Sequence, residues 1–473
     1  MVRWAKDRLR TGALRFVAVA RREGTARKGG LRVVIPAADA RAMRRLGWSG
    51  WVRVTLSAPG SSPFFAVVRQ VTASSGHVVA SVALPVHSRG AVAAGDELDV
   101  SLEEGEPLRT APGPLWGPAG LDWAAVVPDD VFATQDGDQL VIHSRYERPF
   151  RLKRHTAVDR TFWLLGFYQA EGNKGGTAQA WTVANRNPDL LRAVVELLAG
   201  WGLGAERLKA EVVAGFEQPL DVARAIFEPV GVDITTVRAQ KGKRHNESAS
   251  LYVRSSKPFL QMTRAVLGEL VDDDLLGRLP AEAARDFALG FLDGDGTITL
   301  QRSAVALRAG GSEREQRAVV AALRRGFGWD IGGSFSPNAS VGYLTTLDAP
   351  KALDLAFAGA FRYSMSRARL LYGTEERTAG LRDLYDRFGD AEFGMAEALR
   401  AGVRCGHISA CRRWAYVEGE PERLRFTQRG IDVAVRFAKL AEELQALRKR
   451  VPEATGGRTW RKGVPLPPVD DLA

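Results

Sequence analysis

One phrase occurs twice in this 473-residue chain and constrains its fold more than any other feature. Leu165-Gly166-Phe167 carries Glu171-Gly172 six residues after its leucine, and Leu289-Gly290-Phe291 carries Asp295-Gly296 in the same way. The two acids, at positions 171 and 295, stand 124 residues apart, the separation of two similar half-domains. Each copy predicts a short apolar helix, 162–170 and 287–294, that stops at a glycine suited to a left-handed C-terminal cap. Gly166 with Ala170, and Gly290 with Gly294, are four apart and share a face, so the two helices can pack backbone against backbone. Each helix then ends on a carboxylate, which its own macrodipole opposes and its neighbour repels. A divalent cation with oxygen ligands is the economical compensation.

The segments Leu164-Leu165-Gly166-Phe167-Tyr168-Gln169-Ala170-Glu171-Gly172 and Ala288-Leu289-Gly290-Phe291-Leu292-Asp293-Gly294-Asp295-Gly296 resemble the paired signature motifs of monomeric LAGLIDADG (DOD-type) homing endonucleases. The likeness covers about residues 145–370. It implies an α+β fold, a pseudo-twofold pair of αββαββα units whose sheets form a saddle on double-stranded DNA. It further implies that Glu171 and Asp295 are catalytic metal ligands, binding Mg²⁺ (with Mn²⁺ as a substitute) beside a scissile phosphate. Lys174 matches the lysine of the AEG-x-K segment found in some archaeal members, where it is catalytic. Gln169 stands where many members carry a carboxylate, in a slot that does not bind metal. The implied activity is site-specific double-strand DNA cleavage by metal-assisted phosphodiester hydrolysis. Two alternatives are a DNA-binding transcriptional regulator on a non-cleaving core and an intron RNA maturase. Retention of both acids favours cleavage, since a regulator has no use for two mutually repelling carboxylates at a DNA interface. An intein is not expected, because the chain opens Met1-Val2 and closes Asp471-Leu472-Ala473 without a His-Asn pair.

The surrounding pattern fits such halves. After Gly296, Thr297, Thr299 and Gln301 alternate with Ile298 and Leu300, a strand with one polar and one apolar face. A strand at 303–308, a helix at 313–326, strands at 331–335 and 341–347 and a helix at 350–357 follow. The first half is less regular, and its clearest piece is a strand at 251–257 with Leu251 and Val253 inward and Tyr252 and Arg254 on the saddle. Tyr252, Arg254, Thr299 and Gln301 are therefore candidate DNA contacts, since hydroxyl, amide and guanidinium groups reach phosphates and base edges. Arg186 and Arg308, near strand ends, are candidate basic partners.

Composition enters as a test of partner. Lys and Arg number 66 against 55 Asp and Glu, giving a formal charge of +11, which favours a polyanion. No apolar run reaches membrane-spanning length, and two cysteines exclude a disulfide scaffold, so a cytoplasmic protein is expected, and the resemblance implies a monomer that is nucleoid-associated when bound. Cys405 and Cys411 bracket His407, but three candidate ligands without a Cys-x-x-Cys spacing read as small residues on one helix rather than as zinc.

Three further segments complete the organisation. Residues 1–112 repeat a strand-proline-strand pattern and suggest a small β-barrel of the double-psi or AbrB kind, with 113–145 as linker and entry segment. The halves are expected at 146–280 and 281–372. Residues 378–450 read helix, glycine turn, helix and β-wing, a winged helix-turn-helix whose recognition helix would present His407, Arg412 and Arg413 to DNA. The tail, 451–473, reads as an extended arm.

Overall fold

A computed structural model describes residues 13–22, 31–45, 51–57, 65–70, 72–73, 80–84, 92–104, 114–128, 131–143, 149–173, 178–185, 187–214, 227–239, 248–253, 256–272, 275–300, 305–333, 341–361 and 365–450. The fold is mixed α and β, with several small sheets. Its buried apolar residues form two separate cores, one running from Phe16 to Leu102 and the other from Leu115 to Leu444.

The first core belongs to strands β1 (Ala13–Arg22), β2 (Leu31–Ile35), β3 (Trp51–Ser57), β4 (Phe65–Gln70), β5 (Thr72–Ala73), β6 (Ala80–Leu84) and β7 (Glu97–Glu104), with helix α1 (Ala37–Arg45) between β2 and β3. Period-2 alternation builds it: Val52, Val54 and Leu56 are buried while Arg53 is exposed. The strands follow the order β4-β3-β7-β1-β2-β6-β5. The barrel expected here is not closed, because closure needs a ladder between first and last strands, and among the described residues none joins β4 to the two-residue β5. Strand β1 joins the two ladders, pairing with β7 through Val19 and with β2 from Ala20.

Part of the expected linker is also folded. Strands β8 (Trp116–Gly117), β9 (Gly120–Asp122), β10 (Phe132–Asp136), β11 (Gln139–His143), β12 (Phe150–Lys153) and β13 (His155–Thr156) form two three-stranded sheets, β10-β11-β12 and β13-β9-β8. Their tryptophans explain why: Trp123 is fully buried, gives its indole N–H to Thr156 Oγ1 at 3.1 Å and lies 5.3 Å from Trp201 and 5.7 Å from Phe259, centroid to centroid. A linker rich in Gly and Pro has no such apolar anchor.

The first half runs α2 (Val158–Glu171), β14 (Thr182–Asn185), α3 (Pro188–Gly200), β15 (Leu208–Ala214), β16 (Asp233–Ala239), β17 (Ser248–Val253) and α4 (Lys257–Asp272), with sheet order β14-β17-β15-β16. The second runs α5 (Ala281–Asp295), β18 (Gly296–Leu300), β19 (Val305–Gly310), α6 (Glu313–Phe327), β20 (Val341–Leu347) and α7 (Ala349–Phe357), with order β18-β19-β20. A bridge between Gly172 and Val183 puts the chain after α2 beside β14, as β18 lies beside β19. Two details depart from the expected αββαββα pattern. The strand expected at 331–335 does not form over residues 331–333, the rest lying outside the described residues. The first half gains β16, parallel to β15. Its strand expected at 251–257 ends at Val253, and Ser256, whose hydroxyl accepts the backbone N–H of Trp181, precedes α4.

After α7 come α8 (Met365–Phe388), α9 (Met395–Arg400), α10 (Cys405–Arg413), the hairpin of β21 (Val417–Glu420) and β22 (Arg423–Phe426), and α11 (Gln428–Arg450). The turn expected at 418–421 is thus largely strand, bent at Gly419 where φ is +105°. The boundary expected between 372 and 378 falls inside α8, which crosses it unbroken. Arg367 in α8 fixes the junction: its guanidinium makes two 2.8 Å hydrogen bonds to the Glu443 carboxylate of α11 and donates to the Ala356 carbonyl of α7. Among the described residues no helix is long and apolar enough to cross a membrane.

Candidate metal and nucleic-acid site

The glycine spacing produces a helix pair in backbone contact. A Cβ on Gly166 would overlap the Phe287 carbonyl, and one on Gly290 would overlap the Trp163 carbonyl. Adding 124 to 166 and 163 gives 290 and 287, so the two contacts are reciprocal. Further along, a Cβ on Gly294 would lie 2.6 Å from Ala170 Cβ and 2.9 Å from Glu171 Cγ. The helices are therefore parallel, and Glu171 and Asp295 end them at the same pole.

The glycines that follow the acids do not take the expected left-handed conformation. Gly172 has φ −75° and Gly296 φ −82°, both extended, and each N–H reaches back to its helix, to the Tyr168 and Leu292 carbonyls. Glycine is needed for space rather than for φ: a Cβ on Gly172 would fall 2.7 Å from the Tyr168 ring, and one on Gly296 would fall 2.6 Å from Leu292 Cα and 2.8 Å from the Phe361 ring. The chain thereby turns from helix to strand without leaving room for a side chain beside either acid.

The acids are held differently. Glu171 Oε1 accepts the Asn185 side-chain N–H at 2.8 Å, while Asn185 Oδ1 accepts the backbone N–H of Asn187, the N-cap of α3. Asp295, one methylene shorter, packs on Gly310, where a Cβ would come 3.1 Å from its Cγ. Both are half-buried. Their donor set is two hard carboxylates at the negative ends of two helices, which suits Mg²⁺ or Mn²⁺. Among the described residues no group of three His, Cys, Asp or Glu is arranged around one point.

Sequence reasoning missed two basic residues near the acids. Arg264 of α4 donates to the Asn173 carbonyl at 3.3 Å, two residues past Glu171. Arg369 of α8 donates to the Ile298 carbonyl at 3.2 Å, three residues past Asp295, and burial lowers its pKa. Each comes from a helix remote in sequence, and only periodicity that put them on a core-facing turn could have flagged them.

Of the other expected site residues, Lys174, Arg186, Arg254 and Gln301 lie outside the described residues. Tyr252 is half-buried opposite Thr182 and Lys209, and the Lys209 ammonium sits 4.5 Å over its ring and 3.0 Å from Glu211. Its neighbours Leu251 and Val253 are buried, so the alternation is as expected. Thr299 is half-buried beside buried Ile298, and Arg308 lies opposite Thr297 and Tyr343 in the second sheet.

On α10, Arg412 and Arg413 are exposed, with Arg412 donating to the Gly419 carbonyl of the wing at 3.0 Å. His407 is not exposed. It packs on α8, where a Cβ on Gly380 would collide with its ring. Helix α10 needs an apolar face toward α8, and position 407 falls on it with Ile408 and Cys411. Cys405 is exposed and Cys411 buried, its thiol pushed up to about 12 by burial. The wing arginines are partly neutralised, Arg425 by Glu418 at 2.8 Å and Arg423 by Glu392 at 2.7 Å.

No protein-family model matches this chain, and no curated protein does.

Proposed function

We propose that this protein is a divalent-metal-dependent, site-specific double-strand DNA endonuclease of the LAGLIDADG homing type. The observation that carries the reading is the reciprocal helix pair, which delivers Glu171 and Asp295 to one pole between two sheets. The reciprocity supports a pseudo-twofold arrangement of two related units, which matches two antiparallel strands of a duplex. When bound, Mg²⁺ would lower the pKa of a water and neutralise charge building on the phosphate. Glu171 and Asp295 would hold it, with Asn185 fixing the Glu171 rotamer. Arg264 holds the backbone just past Glu171 and Arg369 that of β18 just past Asp295, and both would add positive charge near the phosphate path. Lys174, three residues past Glu171, is assigned to orienting the water. Exposed Arg412 and Arg413 extend the contact to flanking DNA, and the net charge of +11 supplies long-range attraction.

The test is a random duplex library incubated with the protein and Mg²⁺. Cleavage at a defined sequence is expected, with binding but no cutting when Ca²⁺ replaces Mg²⁺, because Ca²⁺ adopts looser coordination. Full activity in EDTA would exclude the metal mechanism. Sequence-specific binding that never leads to cutting in Mg²⁺ or Mn²⁺ would favour a regulator.

A further inference from the structure

Two hydrogen bonds link the halves at the helix pair, one between its two helices and one from α2 to α6. Gln169 Nε2 donates to Glu315 Oε1 at 2.6 Å, and Trp163 Nε1 donates to Asp293 Oδ2 at 2.9 Å. Gln169, Glu315 and Asp293 are all buried. The second oxygen of Glu315 accepts from the Ser312 backbone N–H at 2.7 Å and from its hydroxyl at 2.9 Å, closing the N-terminal capping box of α6.

The 124-residue offset shows what these contacts exclude. Within the helix pair, position 169 of the first half corresponds to Asp293 of the second and Trp163 to Phe287, and with the N-caps Asn187 and Ser312 aligned, Glu315 at the third position of α6 corresponds to Leu190 of α3. If a second half met another second half, Asp293 would take the place of Gln169 and face Glu315, two buried carboxylates that cannot both ionise. Phe287, taking the place of Trp163, would offer Asp293 no N–H. If a first half met another first half, Gln169 would face Leu190, which is buried and offers its amide no acceptor. Only the pairing of unlike halves satisfies both seams.

We propose that the Gln169–Glu315 and Trp163–Asp293 contacts are a pairing code, which fits each half to the unlike half of this chain and rejects a second copy of itself. The code accounts for Gln169 at a position where the second motif carries an acid. It concerns assembly and not chemistry, so it stands or falls independently of the nuclease assignment.

The intact chain can be made to mimic either wrong pairing. Gln169→Asp sets the second-half residue opposite Glu315, and Glu315→Leu sets the first-half residue opposite Gln169. Thermal unfolding of the full-length protein is the readout. Gln169→Asp is expected to lower the midpoint by roughly 5 °C or more, and Gln169→Leu, which adds no charge, by less. Since Glu315→Leu also removes a helix cap, the seam is judged by coupling: Gln169→Leu made in the Glu315→Leu background should shift the midpoint by less than half of its shift in the wild type. A wild-type midpoint for Gln169→Asp would overturn the proposal, as would additive shifts. If Gln169→Asp fails to fold, Gln169→Leu must still fold, and failure of both would equally sink the code.

Discussion

The two halves of the main core are built on the same helix pair and stiffened by different means. In the first, rings lead from the entry sheets to the acid: Trp201 to Trp123, Trp123 to Phe259, Phe259 to Trp181, and Trp181 stacked at 4.7 Å on Tyr168, whose ring fills the space beside Gly172. In the second, the core is mainly aliphatic, with Leu307, Val319, Leu323, Leu344 and Leu353, and its outer support is the C-terminal module, held by the Arg367–Glu443 ion pair and by Arg436 lying 4.1 Å over the Phe357 ring. Near-symmetry is kept where the acids converge and abandoned where each half meets its flank. A duplicated unit can therefore diverge most where its neighbours differ, while the backbone contacts of the shared helices tolerate no added atom.

The largest expected effect tests whether the acids are equivalent. On the proposed reading, Glu171→Gln and Asp295→Asn should each lower double-strand cleavage by about 10³-fold while DNA binding survives, since shape would be kept and metal ligation lost. If each acid serves one strand, end-labelled duplex should show a residual nick in opposite strands for the two variants. The same strand nicked by both would break the comparison.

Next in size are the flanks. Trp123→Ala should destabilise by about 3–5 kcal/mol through the cavity it leaves in the ring series. Glu443→Ala should cost about 3 kcal/mol, because it leaves the Arg367 guanidinium buried with its carboxylate gone, whereas Arg367→Met with Glu443→Leu should cost much less. Urea titration of the three variants decides this, and a double variant as unstable as Glu443→Ala would mean that the ion pair is not what joins the module.

Smaller still is the cost at the shared seam, where Gly166→Ala and Gly290→Ala should destabilise equally, by about 1–3 kcal/mol, as each Cβ meets a backbone carbonyl. Unequal losses by the same titration would show that the symmetry stops short of the helix pair.

The smallest effect depends on pH. Burial raises the Asp354 carboxyl above the usual range, outweighing its hydrogen bond from Trp329 Nε1 and the charges of Arg429 and Arg436. A carboxyl whose folded pKa is raised opposes folding when ionised, so stability should rise as pH falls from its raised value toward the ordinary carboxylate range. Asp354→Asn should flatten that rise in a stability-versus-pH series, and an unchanged slope would assign it to another group.

How much of this was legible in the sequence follows from the range of the forces involved. The helix pair could be read because Gly166, Ala170, Gly290 and Gly294 are a local pattern, and β18 because its period-2 alternation is local too. The glycines after the acids are needed for space rather than for a left-handed φ, a need set by the Tyr168 and Leu292 turns and, at Gly296, also by the Phe361 ring from 65 residues downstream. The entry strands escaped because segments of two to five residues leave no periodicity, and only their tryptophans mark them as buried. His407 was placed outward because a recognition helix offers its polar residues to DNA, whereas a short helix packed on α8 spends one face on its neighbour. Arg264 and Arg369 act through tertiary contacts with backbone carbonyls, which no linear spacing encodes.

The unbroken course of α8 makes it a ruler. Its 24 residues span about 36 Å, close to ten base pairs of duplex at about 3.4 Å each. A module on a flexible tether tolerates variable spacing between the bases it touches and the bases that are cut. One mounted on a continuous helix, and pinned near its start by Arg367, does not. On the proposed reading, moving the flanking half of a target by a single base pair would put the bases out of phase with α10 by about a tenth of a turn, and the protein would measure its site as well as read it.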